Sequence, residues 1–411
     1  MKKILIISSM LLTALLAASC LDVQVQQSEL DRVDFSWYTF RSNPKPMPVA
    51  TRADTNVMVG GSGVETHLPS GKSFGVFGYY HPQVSNSVAG GWKDLTHDNT
   101  PNLFYNEQVS ISESAGVYSY SYEHSRYWPN NNRDRMSFIA YYPYYAGIAT
   151  GLIDRNALVE SFLDSHYERE GMVGFYYLVD PDPAKHVDFL VSDLCCDQSK
   201  ALWDQNHSTG LTGTANGNVK FYFHHALSQI RIKNVSFDKS GNEDLELHVN
   251  YIMFNNVAVY GECIPEPDFS RKDANTGRTP VTPTWPVGGL SQVRPNLTSG
   301  VAAEICYDYT DPEHPVFLRD KALLMIPHTF FEGASVEVNF DVTRPMSAGG
   351  EHYEYESYTQ TAQLRSPVLE LYGWEPGKIY TYNISLNLET ISINADVTDW
   401  LTAGDDVVFE N

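Results

Sequence analysis

Residues 378–400 read KIYTYNISLNLETISINADVTDW, and the way this stretch alternates decides the fold. Tyr380, Tyr382, Ile384, Leu386 and Leu388 are apolar, while Thr381, Asn383, Ser385 and Asn387 between them are polar. Period two belongs to a β-strand, because successive side chains leave opposite faces of the backbone. The register then flips, with Ile391, Ile393, Ala395 and Val397 apolar and Ser392, Asn394, Asp396 and Thr398 polar. A one-residue slip exchanges the two faces, so the stretch predicts two strands joined tightly near Glu389 and Thr390.

The same signal runs through the chain. Val336, Val338, Phe340 and Val342 alternate with polar neighbours, as do Leu245, Leu247, Val249 and Tyr251. Such strands have one wet face. Ala322 to Ile326 is continuously apolar and predicts a central strand buried on both sides. Toward the N-terminus, Val33, Phe35 and Trp37 alternate with Asp34, Ser36 and Tyr38. Met136, Phe138, Ala140 and Tyr142 alternate less cleanly, and Phe74, Val76 and Tyr80 lie among glycines. One stretch breaks the pattern: between Asp154 and His166, Leu158, Val159, Phe162 and Leu163 fall at helical spacing and predict a short amphipathic helix. Linker-like composition occurs at Ser42 to Pro48, Pro181 to Pro183, Gly210 to Asn218 and Glu262 to Pro295. The third of these places a domain boundary near residue 224. The expected fold class is all-β, with two tandem β-sandwich domains and one short helical insertion in the N-terminal domain.

At the N-terminus, Lys2 and Lys3 precede an apolar run from Ile4 to Leu16 and then Ala17, Ala18, Ser19 and Cys20. This predicts a signal peptide over residues 1–19. The run is too short to span a bilayer core of ~30 Å, which needs roughly 20 apolar residues. The ending Leu16-Ala17-Ala18-Ser19-Cys20 resembles the lipobox of bacterial lipoproteins, which implies a diacylglycerol on the Cys20 thiol and Cys20 as the mature N-terminus. Fifty acidic against 28 basic side chains give a net charge of −22. Such a surface is repelled by phosphate backbones, which argues against nucleic-acid partners, and by anionic lipid, so membrane attachment falls to the acyl chains. With 42% hydrophobic and 13% aromatic residues the chain can build real cores. Of the five cysteines, neighbouring Cys195 and Cys196 can hardly bridge each other. A Cys263 to Cys306 bridge and buried free thiols both remain open.

The search for chemistry is negative. His224 and His225 are adjacent, so on a strand they point to opposite faces and cannot share one ion. No His-Glu-x-x-His and no paired Cys-x-x-Cys occurs. Asp180-Pro181-Asp182 and the group Glu351, Glu354 and Glu356 lack the alternating acids and central glycine of a calcium loop. Gly60-Gly61-Ser62-Gly63 does not form a nucleophile elbow. Glycosidase carboxylates can lie far apart in sequence, and 50 acids identify no pair. The expectation is a protein without cofactor, metal or catalytic residues. Tyr118, Tyr120, Tyr122, Tyr127, Trp128 and the run Tyr141-Tyr142-Pro143-Tyr144-Tyr145 either stack on sugars or form the core and edges of the N-terminal domain; the core reading is favoured.

Taken in order, a series of landmarks resembles the fimbrillin family, the type V pilins of Bacteroidetes and their Mfa-like relatives. They are Thr51-Arg52-Ala53, Phe74-Gly75-Val76-Phe77, Ser125-Arg126-Tyr127-Trp128-Pro129 with Ser137-Phe138-Ile139-Ala140-Tyr141-Tyr142-Pro143-Tyr144, and Asp188-Phe189-Leu190-Val191. Phe223-His224-His225-Ala226-Leu227-Ser228-Gln229-Ile230, Leu324-Met325-Ile326-Pro327-His328 and Trp374-Glu375-Pro376-Gly377-Lys378-Ile379-Tyr380 follow, ending at Asp399-Trp400. The resemblance implies two transthyretin-like sandwiches. The division expected is a signal peptide over 1–19, a lipidated segment with the first strand over 20–52, an N-terminal domain over 53–224 and a C-terminal domain over 225–411. It also implies an outer-membrane lipoprotein exposed on the cell surface, with other fimbrial subunits as partners and host or bacterial glycans or proteins as ligands. In polymerising members an arginine-specific protease removes the first strand, and a strand from the next subunit fills the groove. Here that strand would be Val33 to Phe40, with Arg52 as the processing site and Arg41 as the alternative. The tail Leu401 to Asn411 has only Val407, Val408 and Phe409 as an apolar patch, which makes it a doubtful donor. A lipid-anchored glycan-binding protein is the second reading.

Overall fold

The computed structural model describes residues 32–39, 68, 70–82, 101–115, 117–129, 134–146, 159–163, 173–179, 186–199, 218–240, 245–273, 277–285, 301–303, 322–345, 353–365 and 371–400. Among these, the first strands in chain order are Asp34–Thr39 (β1), Ser73–His81 (β2), Phe104–Ser114 (β3), Val117–Ser121 (β4), Arg135–Tyr142 (β5), Val159–Leu163 (β6), Val173–Leu178 (β7) and Leu190–Ser192 (β8). Next come Leu194–Gln198 (β9), Asn218–His225 (β10), Ser228–Phe237 (β11), Glu246–Asn255 (β12), Tyr260–Pro267 (β13), Arg278–Thr279 (β14), Val281–Thr284 (β15) and Val301–Ala303 (β16). The last are Leu323–Met325 (β17), His328–Thr329 (β18), Ser335–Pro345 (β19), Tyr353–Gln363 (β20), Gly373–Trp374 (β21), Lys378–Leu386 (β22) and Ile391–Asp399 (β23). A 3-10 turn, Phe269–Arg271, follows β13, and the Asp268 side chain accepts from the Ser270 N–H (3.0 Å).

The largest sheet has nine strands in the order β1-β10-β8-β5-β2-β3-β4, with β9 on β5 and β14 on β9. Its central strand shows why the sequence around residue 138 alternates poorly. Met136, Phe138, Ala140 and Tyr142 of β5 enter one core with Phe74, Phe104 and Phe221. Ile139 and Tyr141 enter a second, larger core with Phe77, Phe175 and Phe189. A strand buried on both faces has no polar side to show.

Two four-stranded sheets, β17-β11-β22-β23 and β16-β12-β19-β20, face each other through Phe254 against Tyr382 and Phe237 against Phe340. The opening stretch of the sequence analysis is here an antiparallel hairpin, Leu386↔Ile391 to Lys378↔Asp399. A fourth sheet, β15-β13-β7-β6, joins β13 and β15, which follow residue 225, to β7, which precedes it.

Three sequence expectations change. The helix predicted between Asp154 and His166 is replaced by β6, which pairs antiparallel with β7 from Val159↔Tyr177 to Leu163↔Val173. Apolar residues three and four apart in so short a run fit either period, and the available neighbour β7 decides for the strand. Among the described residues Ala322 to Ile326 is not central: β17 pairs with β11 alone, at the sheet edge. It is nevertheless buried, because Ile326 packs near Gly261 and Trp285, and the Leu324 N–H donates to His186 Nδ1 (3.0 Å). Tyr251 does not continue the inward alternation. A bulge between Val249 and Tyr251 passes the inward positions to Ile252 and Phe254, and the Tyr251 hydroxyl donates to Glu337 (2.8 Å).

Candidate functional site

The site is the groove that holds β1. Alternation aims Val33 and Phe35 inward, at 0% and 2% exposure, and leaves Arg32 and Asp34 half-buried on the outer side. The Phe35 ring lies among Phe104 (5.5 Å), Tyr122 (5.4 Å), Phe138 (5.9 Å) and Phe221 (5.5 Å, stacked). Burying such a ring contributes about 1.5–3 kcal/mol, and each ring pair adds about 0.5–1.5.

The two backbone edges of β1 are held differently. On one side it runs parallel to β10, from Asp34↔Asn218 to Thr39↔Phe223. On the other, the contacts among the described residues lie at its start: the Val33 N–H donates to the Arg126 carbonyl (2.9 Å), and Arg32 forms a bridge with Tyr127. Tyr122 fastens this end. Its hydroxyl donates to the Val33 carbonyl (2.5 Å) and accepts from Arg32 Nε (3.3 Å), while the Arg32 guanidinium sits 4.4 Å above its ring. The hydrogen bond that Arg32 donates to Tyr122 raises the Arg32 pKa, and burial raises that of the Tyr122 phenol.

Strand β10, the wall against which β1 lies, is pinned by a buried charge. Asp193, between β8 and β9, is 0% exposed; it accepts from His224 Nε2 (2.7 Å), from Arg278 Nε and from the Val281 N–H (3.0 Å). Burial pushes its carboxyl up, but the charges of His224 and Arg278 outweigh this and hold it below the usual carboxylate range. His225 turns to the opposite side, as adjacency requires, where its Nδ1 meets Asp188 (2.7 Å) and its ring stacks on Trp400 at 3.7 Å. Among the described residues no cluster of three metal-ligating side chains exists.

Cys20, Arg41 and Arg52 lie outside the described residues, as do Asp180 to Asp182 and Cys306. Cys195, Cys196 and Cys263 are free and buried, and burial pushes all three thiols up, Cys196 to about 12. Trp128, Tyr141 and Tyr142 are core residues, in line with the favoured reading of the aromatic run. Sequence reasoning missed Asp193 and the fastening role of Tyr122. Tyr118, Tyr120 and Tyr122 do show a period of two, but nothing in a sequence pairs residue 122 with residue 33.

The described residues form an all-β fold in which an early strand is clipped into an aromatic groove. Residues 51–400 match the Fimbrillin-like family, and the chain belongs to that family. Its role is accordingly that of a cell-surface fimbrial subunit. The matched segment begins after β1. Among solved structures, a fimbrial protein from Bacteroides vulgatus is similar in fold, with a TM-score of 0.52 at 16% identity over 90% of this chain and 99% of that one. The tip fimbrial protein Mfa3 from Porphyromonas gingivalis, truncated at its C-terminus, is more distant, with a TM-score of 0.28 at 9% identity over 81% of this chain and 95% of that one. No curated protein matches in sequence.

Proposed function

We propose that this chain is a non-enzymatic stalk, tip or anchor subunit, exported as a lipoprotein, held at the outer membrane through acylated Cys20 and assembled by exchange of its first strand. The observation that carries the reading is the seating of β1: one edge is paired along β10, the other is held, among the described residues, at its start, and the floor beneath it is aromatic. Vacating such a groove leaves unpaired backbone groups and apolar pockets, and a strand from a neighbouring subunit satisfies both. Cleavage at Arg52, or alternatively at Arg41, separates β1 from the chain that follows it.

The test is mass spectrometry of the mature N-terminus on cell-surface material, paired with gels for heat-labile polymers. Acylated Cys20 supports the anchored precursor, and a start at Ala53 or Ser42 in the polymer supports exchange. An unlipidated chain that remains full length and monomeric at the surface refutes both.

A further inference from the structure

We propose that a cleft beside β3, distinct from the core of the β1 groove, binds a neutral oligosaccharide. It has a volume of about 410 Å³ and is lined by Tyr105, Glu107, Gln108 and Ser110 of β3 together with His124 and Tyr144. That size falls in the lower part of the ~300–1,000 Å³ range of small-ligand sites.

The cleft is built by a local departure from regular pairing. Strand β2 pairs Val76 with Glu107 and then Gly78 with Phe104, so Tyr105 and Asn106 bulge opposite Phe77. Asn106 has φ 52°, a left-handed conformation that costs a residue with a Cβ. The fold holds it there: Asn106 Nδ2 donates to the Tyr145 carbonyl (2.9 Å) and Oδ1 accepts from the Tyr141 hydroxyl (2.7 Å). Gly75 makes the space, since a Cβ there would lie 2.1 Å from the Tyr141 ring and 2.9 Å from Asn106 Oδ1. Bulges re-aim side chains beside functional sites. This one turns Tyr105 out, 46% exposed, with its ring edge braced on Phe77 at 5.5 Å.

Next to it the Glu107 carboxylate is only 10% exposed and already oriented, accepting from the Glu123 N–H (3.2 Å), the His124 N–H (3.0 Å) and His124 Nδ1 (3.0 Å). Among the described residues none of the lining side chains is aliphatic, which disfavours a lipid or an apolar peptide side chain. Glu107, Glu123 and a net charge of −22 disfavour an anion. Fixed carboxylate, amide and hydroxyl groups beside an exposed tyrosine face match the equatorial hydroxyls and apolar C–H face of an uncharged pyranose. The proposal gives the adhesive side of the fimbrial role a ligand class and is independent of strand exchange; the two sites share Tyr122.

The experiment presents the full-length, detergent-solubilised lipoprotein to an array of neutral, sialylated and sulfated oligosaccharides. Hits are then measured by calorimetry with Tyr105→Ala, Gln108→Ala, Tyr105→Trp and Tyr372→Ala. Tyr372 is an exposed ring elsewhere on the surface. The expected result is binding of neutral glycans that weakens tenfold or more in Tyr105→Ala and Gln108→Ala, and persists in Tyr105→Trp and Tyr372→Ala. No glycan bound, charged glycans alone bound, binding indifferent to Tyr105→Ala, or binding lost equally in Tyr105→Trp overturns the proposal. Surface polymers formed normally by the same variants show that a negative glycan result leaves the fimbrial reading intact.

Discussion

Asp193 faces His224 and Arg278 from a position without access to water, and such a carboxylate is worth most through what its removal leaves behind. Asp193→Ala leaves the Arg278 guanidinium and the His224 ring without their buried acceptor and is expected to cost about 3–5 kcal/mol in urea unfolding at neutral pH. The Asp193 carboxyl is held below its unfolded value, so its contribution is present above the unfolded pKa of ~3.9 and fades as pH falls through the folded value. His328 also loses stability on acidification, although its favoured form is the neutral one. Its Nε2 accepts from the Ala258 N–H (3.2 Å) and its Nδ1 faces the Ile326 carbonyl (2.8 Å), a pairing that needs the neutral ring protonated on Nδ1. Burial among Phe330, Phe331 and Trp374 lowers its pKa. Between the lowered folded value and the unfolded ~6.5 only the unfolded chain takes up the proton, so acidification through this window reduces stability, by at most about 1.4 kcal/mol per pH unit. Unfolding of His328→Gln from pH 7.5 to 5.0 is expected to show a shallower slope than the parent; an unchanged slope removes His328 from the account.

Strand β1 and the β3 bulge show what single elements contribute. Phe35 touches four rings, and Phe35→Ala is expected to cost about 3–5 kcal/mol and to raise proteolysis of the segment around β1. Equal melting temperatures for parent and variant would mean that β1 adds nothing to the fold. Gly75→Ala drives a methyl into the Tyr141 ring, and the expected loss is about 1–3 kcal/mol together with displacement of Tyr105, read as a changed environment of that ring. The bulge in β12 makes a related point. Leu247 and Val249 point inward as their alternation predicts, and one extra residue then turns Tyr251 outward to Glu337. Bulges are invisible to a period-two reading because they change phase without changing composition.

At the scale of the molecule, β1 is joined to the rest of the fold by backbone pairing with β10 and by Val33 and Phe35 in the aromatic core. A cut at Arg41 or Arg52 does not remove those contacts. The nicked fragment is therefore expected to co-elute with the body on gel filtration in buffer and to separate in denaturant; separation without denaturant would show that the strand leaves unaided. The amino-acid sequence by itself determined the all-β class and the terminal hairpin. A side-chain period of two, a register flip and a tight turn are local properties that neighbouring residues impose on one another. The landmark series is equally local, and it is legible for the same reason.

Tertiary structure alone decided that 159–163 is a strand, that Ala322 to Ile326 lies at a covered sheet edge, and that Tyr122 fastens Val33 across 89 positions of chain. It alone decided that Asp193 gathers His224 and Arg278, and that Tyr105 turns outward over a cleft. Each of these depends on which distant segment supplies the hydrogen-bond partner or the covering side chain. That choice is settled by the packing of the whole chain, and no stretch of neighbouring residues contains it.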